Sequence, residues 1–186
     1  MTTPQTRARL GALERQLTTP TPAPLDGQTA LPVPDRTGAT MPTRIQRHRT
    51  RGWKKPDNAV IVDRTSRFGN PLSIDSAMDA YGYDETEARE YVVRAFRSWL
   101  RGIRTYWESD EADQARERIL TALPDLVGKD LACACAPDEL CHADVLLEWA
   151  ADPNLGQRIT DARTLVDQVL IARGEEPLHA VAGAAA

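Results

Sequence analysis

An α/β sandwich on a small, mainly parallel sheet is the fold class this sequence predicts, and three observations predict it. Residues 59–64 (AVIVDR) form a continuous β-branched run, the composition of a strand buried on both faces of a parallel sheet. Downstream, Ala88, Tyr91, Val92, Ala95, Phe96, Trp99, Leu100 and Ile103 recur at helical spacing and make one apolar stripe. Residues 131–136 (LACACA) are short, small and apolar, so a strand suits them better than a helix. Strands interleaved with helical segments are the signature of strand–helix–strand layering.

The 186 residues suffice for one domain of ordinary size with tails. Residues 18–42 hold six prolines and two glycines among many threonines, so 1–41 is expected to be a flexible Pro/Thr-rich arm. Within it, Leu10, Leu13 and Leu17 offer only a marginal helical stripe. The α/β core is expected over 42–151. It opens with a strand in TRIQRH (43–48) and a second in AVIVDR, then a loop with a Gly69-Asn70-Pro71 turn.

Asp84, with Glu87 three residues on, marks a capped helix start, and Gly102 lies near that helix's end. A further helix is expected over about 111–123, with Ala112, Ala115, Ile119 and Leu123 inward and Pro124 just past it. Gly128-Lys129-Asp130 is a turn before LACACA. Residues 138–149 begin as a turn and continue as helix, with Ala143, Leu146, Leu147 and Ala150 inward. The order is therefore β, β, α, α, β, α, a small Rossmann-like sandwich. Residues 152–186 add one helix on Ile159, Ala162, Val166, Val169 and Leu170, stopped by Gly174 and Pro177, and a disordered tail, AVAGAAA.

Charge is uneven. The net charge of −4 excludes a wholly basic nucleic-acid binder, yet residues 43–67 hold eight basic side chains against Asp57 and Asp63, a local +6. No stretch approaches the ~18 apolar residues of a membrane span. Three cysteines and no export segment point to the reducing cytoplasm and away from structural disulfides.

All three cysteines fall between positions 133 and 141, with a histidine next. In a strand, Cys133 and Cys135 would share a face, opposite the methyl-sized Ala132, Ala134 and Ala136. Cys141 and His142 fall at the first turn of a helix, where free N–H groups favour a thiolate. Three readings stand. Cys133, Cys135, Cys141 and His142 are a permitted ligand set for zinc, although the spacing C-x-C-x5-C-H is tighter than that of paired C-x2-C knuckles. Alternatively Cys135, Cys141 and His142 act on a substrate, with Cys141 as nucleophile, His142 as general acid–base and Asp144 as an orienting group. Lastly, buried cysteine is often only packing, the better description of Cys133 alone.

Ligands of open parallel sheets sit beyond the carboxyl ends of the strands. If AVIVDR and LACACA are parallel neighbours, their outgoing loops share that edge. Arg64, Ser66, Arg67, Gly69 and Asn70 would then form a site for a nucleotide or other phosphorylated ligand, beside Cys135, Cys141 and His142. The basic run has its own alternative: Arg47, Arg49 and Lys54 along a nucleic-acid backbone, with Trp53 stacking on a base. A solvated face accounts for such a run equally well.

Three motifs carry a family resemblance. They are Gly52-Trp53 with Pro56, Gly69-Asn70-Pro71, and residues 128–147 (GKDLACACAPDELCHADVLL). Over residues 42–151 the chain resembles domain of unknown function family 4326, found in actinobacteria and their phages. One departure is Ala134, where that family often carries a tryptophan between the two cysteines. The resemblance implies relatives without implying a reaction. Two functions therefore stand side by side: a domain binding a phosphorylated ligand at the sheet edge, and a zinc-stabilised module holding nucleic acid. An inert interaction partner is the third.

Overall fold

The structure, a computed structural model, describes residues 41–179; the expected leucine stripe near position 13 and the AVAGAAA tail lie outside them. Three short strands form the sheet: β1 (Arg44–Gln46), β2 (Ala59–Ile61) and β3 (Asp130–Cys133). β3 is central, in the order β1-β3-β2, and both pairings are parallel. Arg44 registers with Leu131 on one side, and Val60 with Leu131 on the other. AVIVDR and LACACA are therefore neighbours, and all three carboxyl ends emerge on one edge. That is the arrangement on which a shared site depends.

β3 is shorter than LACACA. It ends at Cys133, and Ala134 is exposed, so the alternating methyl face continues no further than Ala132. The physical reason is pairing: Arg47 N donates to Cys133 O (2.7 Å), and neither flanking strand extends beyond that point.

Helices fill the rest. α1 (Ile74–Tyr81) is absent from the sequence expectations. It is only eight residues long, held by a Ser73 cap whose side chain accepts from Ser76 N, and ended by Gly82 at φ 70°. A helix that short carries too few turns to show a stripe. α2 (Glu85–Leu100) has the expected capping box. Glu87 N donates to Asp84 Oδ1 (2.9 Å), and Asp84 N donates to Glu87 Oε2 (3.0 Å). Ala88, Val92, Ala95, Phe96, Trp99 and Leu100 are buried along it. Ile103 departs from the predicted stripe: the helix has already ended, and its side chain is 40% exposed. Gly102 at φ 98° makes that exit, packed so closely on the Ala162 carbonyl that a Cβ would stand 2.5 Å from its oxygen.

α3 (Asp110–Ala122) is capped by Ser109 and tightens into a 3-10 turn, Leu123–Leu126. α4 (His142–Ala150) follows a turn at residues 137–138, with Cys141 as its N-cap and His142 in its first turn, as the sequence suggests. α5 (Leu155–Ala172) buries Leu155, Ile159 and Ala162 in the same core as the sheet. That core centres on Val62, Phe96, Trp99, Leu131, Leu146 and Trp149, all essentially without solvent contact. An open three-stranded parallel sheet flanked by helices is thus the architecture. No helix among the described residues is long and apolar enough to cross a membrane.

Candidate metal centre

Three thiols converge where β3 gives way to α4. Cys133 is the last residue of the strand, Cys135 follows one residue into the loop, and Cys141 is the N-cap of α4. Their Sγ atoms all lie within 4.8 Å of one another, and Cys133 and Cys135 are 3.8 Å apart. Cys133 and Cys141 are buried and Cys135 is half-buried; none forms a disulfide. The Cys141 Sγ accepts from Ala143 N (3.4 Å), the oxygen role of an ordinary cap taken by sulfur.

The loop between these cysteines is held from outside by one arginine. Arg44 on β1 donates to the carbonyls of Ala136 (2.9 Å), Pro137 (2.7 Å) and Glu139 (2.8 Å), while its Nε pairs with Asp144 at 3.0 Å. Glu139 in turn accepts from Ala136 N (2.9 Å). Four loop and helix groups are thereby referred to the neighbouring strand. Nothing in the sequence marks Arg44 for this among its basic neighbours. Arg89 on α2 is likewise unmarked: it lies 3.9 Å from Cys135 Sγ and is itself paired with Glu85 and Glu139.

The three thiols share their protons unequally. Hydrogen bonds from the Cys133 and Cys141 thiols pull the Cys135 pKa down, to about 2, with the Arg89 charge adding to the pull. The same bonds push Cys133 and Cys141 up, and burial adds to both. The thiol pushed down is thus the one the other two hydrogen-bond. His142 sits beside the cluster at 7% exposure. Its Nε2 lies 2.7 Å from the Val62 carbonyl, which can only accept, so the proton is on Nε2 and Nδ1 is left as an acceptor facing the Cys141 thiol. That Nδ1 is 3.7 Å from Cys141 Sγ but outside the mutually close set. Burial lowers the imidazole pKa and keeps it neutral.

The donor set fits a soft, tetrahedral metal. Zn–S bonds of about 2.3 Å at tetrahedral angles put sulfurs about 3.8 Å apart, the separation found between Cys133 and Cys135. Thiolates select zinc, copper(I) or iron–sulfur centres over hard cations. Among the described residues this is the one group of three or more His, Cys, Asp or Glu side chains with that convergence.

The loop after β2 lies on the same edge, yet most of its predicted ligand-binding residues are committed to the loop itself. Asp63 is buried and accepts from the Arg47 guanidinium, from Thr65 N (3.0 Å) and from Thr65 Oγ1 (2.6 Å). Burial alone would raise its pKa; these hydrogen bonds outweigh it and lower the carboxyl. Ser66 Oγ donates to Asp63 O (2.8 Å). Asn70 is buried, donating to Val92 O (3.2 Å) and accepting from Leu72 N (2.9 Å). Arg67 turns away to pair with Asp125.

Gly69 is required sterically: a Cβ there would stand 2.6 Å from Arg64 Cα and 2.9 Å from Asp63 O. Gly69→Ala is accordingly expected to destabilise the protein by about 1–3 kcal/mol through forced backbone movement. Urea unfolding measures this, and a change below about 0.5 kcal/mol would show that the loop adapts freely.

Arg64 is the exception, with no hydrogen-bond or ion-pair partner among the described residues. Together with Arg49, Arg89, Cys133, Cys141 and His142 it lines a cavity of about 140 Å³. Of the residues expected along a nucleic acid, Arg47 is committed to Asp63, Arg49 lines this cavity, Trp53 is half-buried and Lys54 is exposed.

Residues 45–152 match the family model described as domain of unknown function (DUF4326). No curated protein and no solved structure matches.

Proposed function

The chain belongs to the DUF4326 family, whose description assigns no activity, and from the geometry of the site we propose that it is a zinc-binding domain in which Cys133, Cys135 and Cys141 hold the metal. One observation carries this reading: three sulfurs, drawn from a strand end, a loop and a helix cap, lie within 4.8 Å of one another. Packing alone does not account for them. Cys135 is half-buried, with a thiolate favoured beside Arg89, which is not how an inert apolar filler behaves.

Zinc there would tie the end of β3 to the start of α4 and neutralise thiolates otherwise crowded together. Three free cysteines need a reducing compartment, so the reading keeps the cytoplasm as the protein's home. It also treats the sheet as a small Rossmann-like core with its site beyond the strands' carboxyl ends. Nucleic acid is the weaker partner in this reading. Arg44, Arg47 and Lys55 have internal roles, which leaves Arg49, Arg51 and Lys54 of the 43–55 run to face a backbone. A small anion at the cavity suits the remaining charges better.

Metal analysis of the purified, untagged chain tests the proposal. One equivalent of zinc that survives dialysis is expected, together with a melting temperature that falls when a chelator removes it. A metal-free protein whose cooperative melt does not respond to added zinc overturns it.

A further inference from the structure

Three sulfurs leave a tetrahedral metal one coordination position short, and three protein ligands with an open fourth position is the pattern of zinc sites that receive an exogenous ligand. His142 Nδ1 adjoins the cluster, 3.7 Å from Cys141 Sγ, and it lies outside the close set while Nε2 holds the ring on the Val62 carbonyl. The 140 Å³ cavity reaches the cluster from the side of Cys133 and Cys141. Arg49 and Arg64 stand on its wall without an acidic partner among the described residues, whereas Asp63, its one carboxylate, is held by Arg47 and Thr65.

The charge of the cavity's own lining runs in one direction: Arg49, Arg64 and Arg89 stand against Asp63 and the single net negative charge of zinc(II) with three thiolates, which leaves the lining positive. A cavity of this size is below the roughly 300–1,000 Å³ of sites that enclose a drug-sized ligand, so a single small group enters it while the rest of a larger ligand stays outside.

Resting on the zinc reading, we infer that the cavity is a phosphoryl-binding site, in which one oxygen of a phosphate monoester takes the metal's fourth position and the others meet Arg64 and Arg49. Guanidinium forks match the oxygens of a tetrahedral dianion, and Arg49 and Arg64 are both exposed side chains. Arg64 is the specificity-determining side chain, because it leaves the Asp63–Asn70 loop with no internal duty.

Cobalt(II) in place of zinc makes the test visible, since its absorption bands report on coordination. Titrating the cobalt-loaded full chain with inorganic phosphate is expected to give a saturable change in those bands. Arg64→Ala should weaken that response at least tenfold while binding the same one equivalent of cobalt. A chain that binds one cobalt but shows no spectral response to phosphate overturns the phosphoryl site and leaves the zinc reading standing. A chain that binds neither cobalt nor zinc overturns both. Equal phosphate affinity in metal-free and metal-loaded protein, measured by calorimetry, shows that the arginines act without the metal and overturns the bridged site.

Discussion

Cys135→Ser is expected to reduce bound zinc from one equivalent to near zero after dialysis, with Cys133→Ser and Cys141→Ser doing the same. Loss of a group that only orients a metal ligand costs about 10–100-fold in affinity; loss of one of three ligands should exceed that. Cys135 is the most informative of the three. Cys133 and Cys141 are buried among Leu131, Val145 and their neighbours, so serine there also disturbs packing. Cys135 is half-buried, and its substitution disturbs the core least. Full retention of zinc by the Cys135→Ser protein would falsify the three-sulfur site.

Proton release gives the same experiment a second readout. Metal ligands bind deprotonated. In the metal-free cluster the hydrogen bonds among the thiols push Cys135 down and Cys133 and Cys141 up. Zinc must therefore displace protons from the raised thiols, and its affinity should rise with pH around neutrality. Calorimetry in buffers of different ionisation enthalpy counts those protons. A count near three would mean that Cys135 is protonated at rest, and a count near zero would mean that zinc is not bound by these thiols.

Asp63→Ala should be the most destabilising substitution in the loop after β2, by about 3 kcal/mol. Removing one partner of a buried ion pair typically costs about 3–5 kcal/mol because the other charge is stranded. Arg47 retains some solvent contact, which places the loss at the low end. Two Thr65 bonds are lost as well. The pH dependence has a definite sign. A carboxyl whose folded pKa is lowered contributes its stability fully above the unfolded value of 3.8, and loses it as pH falls through the lower folded value. Urea unfolding midpoints at pH 7 and pH 3 measure both effects. A loss under about 1 kcal/mol at pH 7, or an unchanged difference between the two proteins at pH 3, would show that Asp63 is not the loop's anchor.

Much of the fold was legible because it is written in local spacing. The Asp84–Glu87 capping box and the Ala88-to-Leu100 stripe follow from helical geometry, and AVIVDR from β-branched composition. α1 escaped because eight residues show no periodicity, and Ile103 was misplaced because the chain breaks at Gly102 where it meets Ala162 on a distant helix. Within the site, the crowding of Cys133, Cys135 and Cys141 was visible at once. The duties of Arg44 and Arg89 were not, since a basic residue reads the same whether it faces water or three carbonyls.

The sequence by itself determined that three thiols and a histidine would stand within ten residues of a strand-to-helix junction. Composition and spacing are local properties, and no long-range contact was needed to read them. Only the tertiary structure decided which members converge. Parallel pairing of β2 with β3 places the Val62 carbonyl where it takes His142 Nε2, so the imidazole is held out of the close set while three sulfurs form it. The same pairing spends Ser66, Asn70 and Arg47 on the loop and leaves Arg64 facing the cavity. The His142–Val62, Asn70–Val92 and Arg47–Asp63 contacts join residues well separated in the chain, and a sequence read along its length holds no record of where such partners meet.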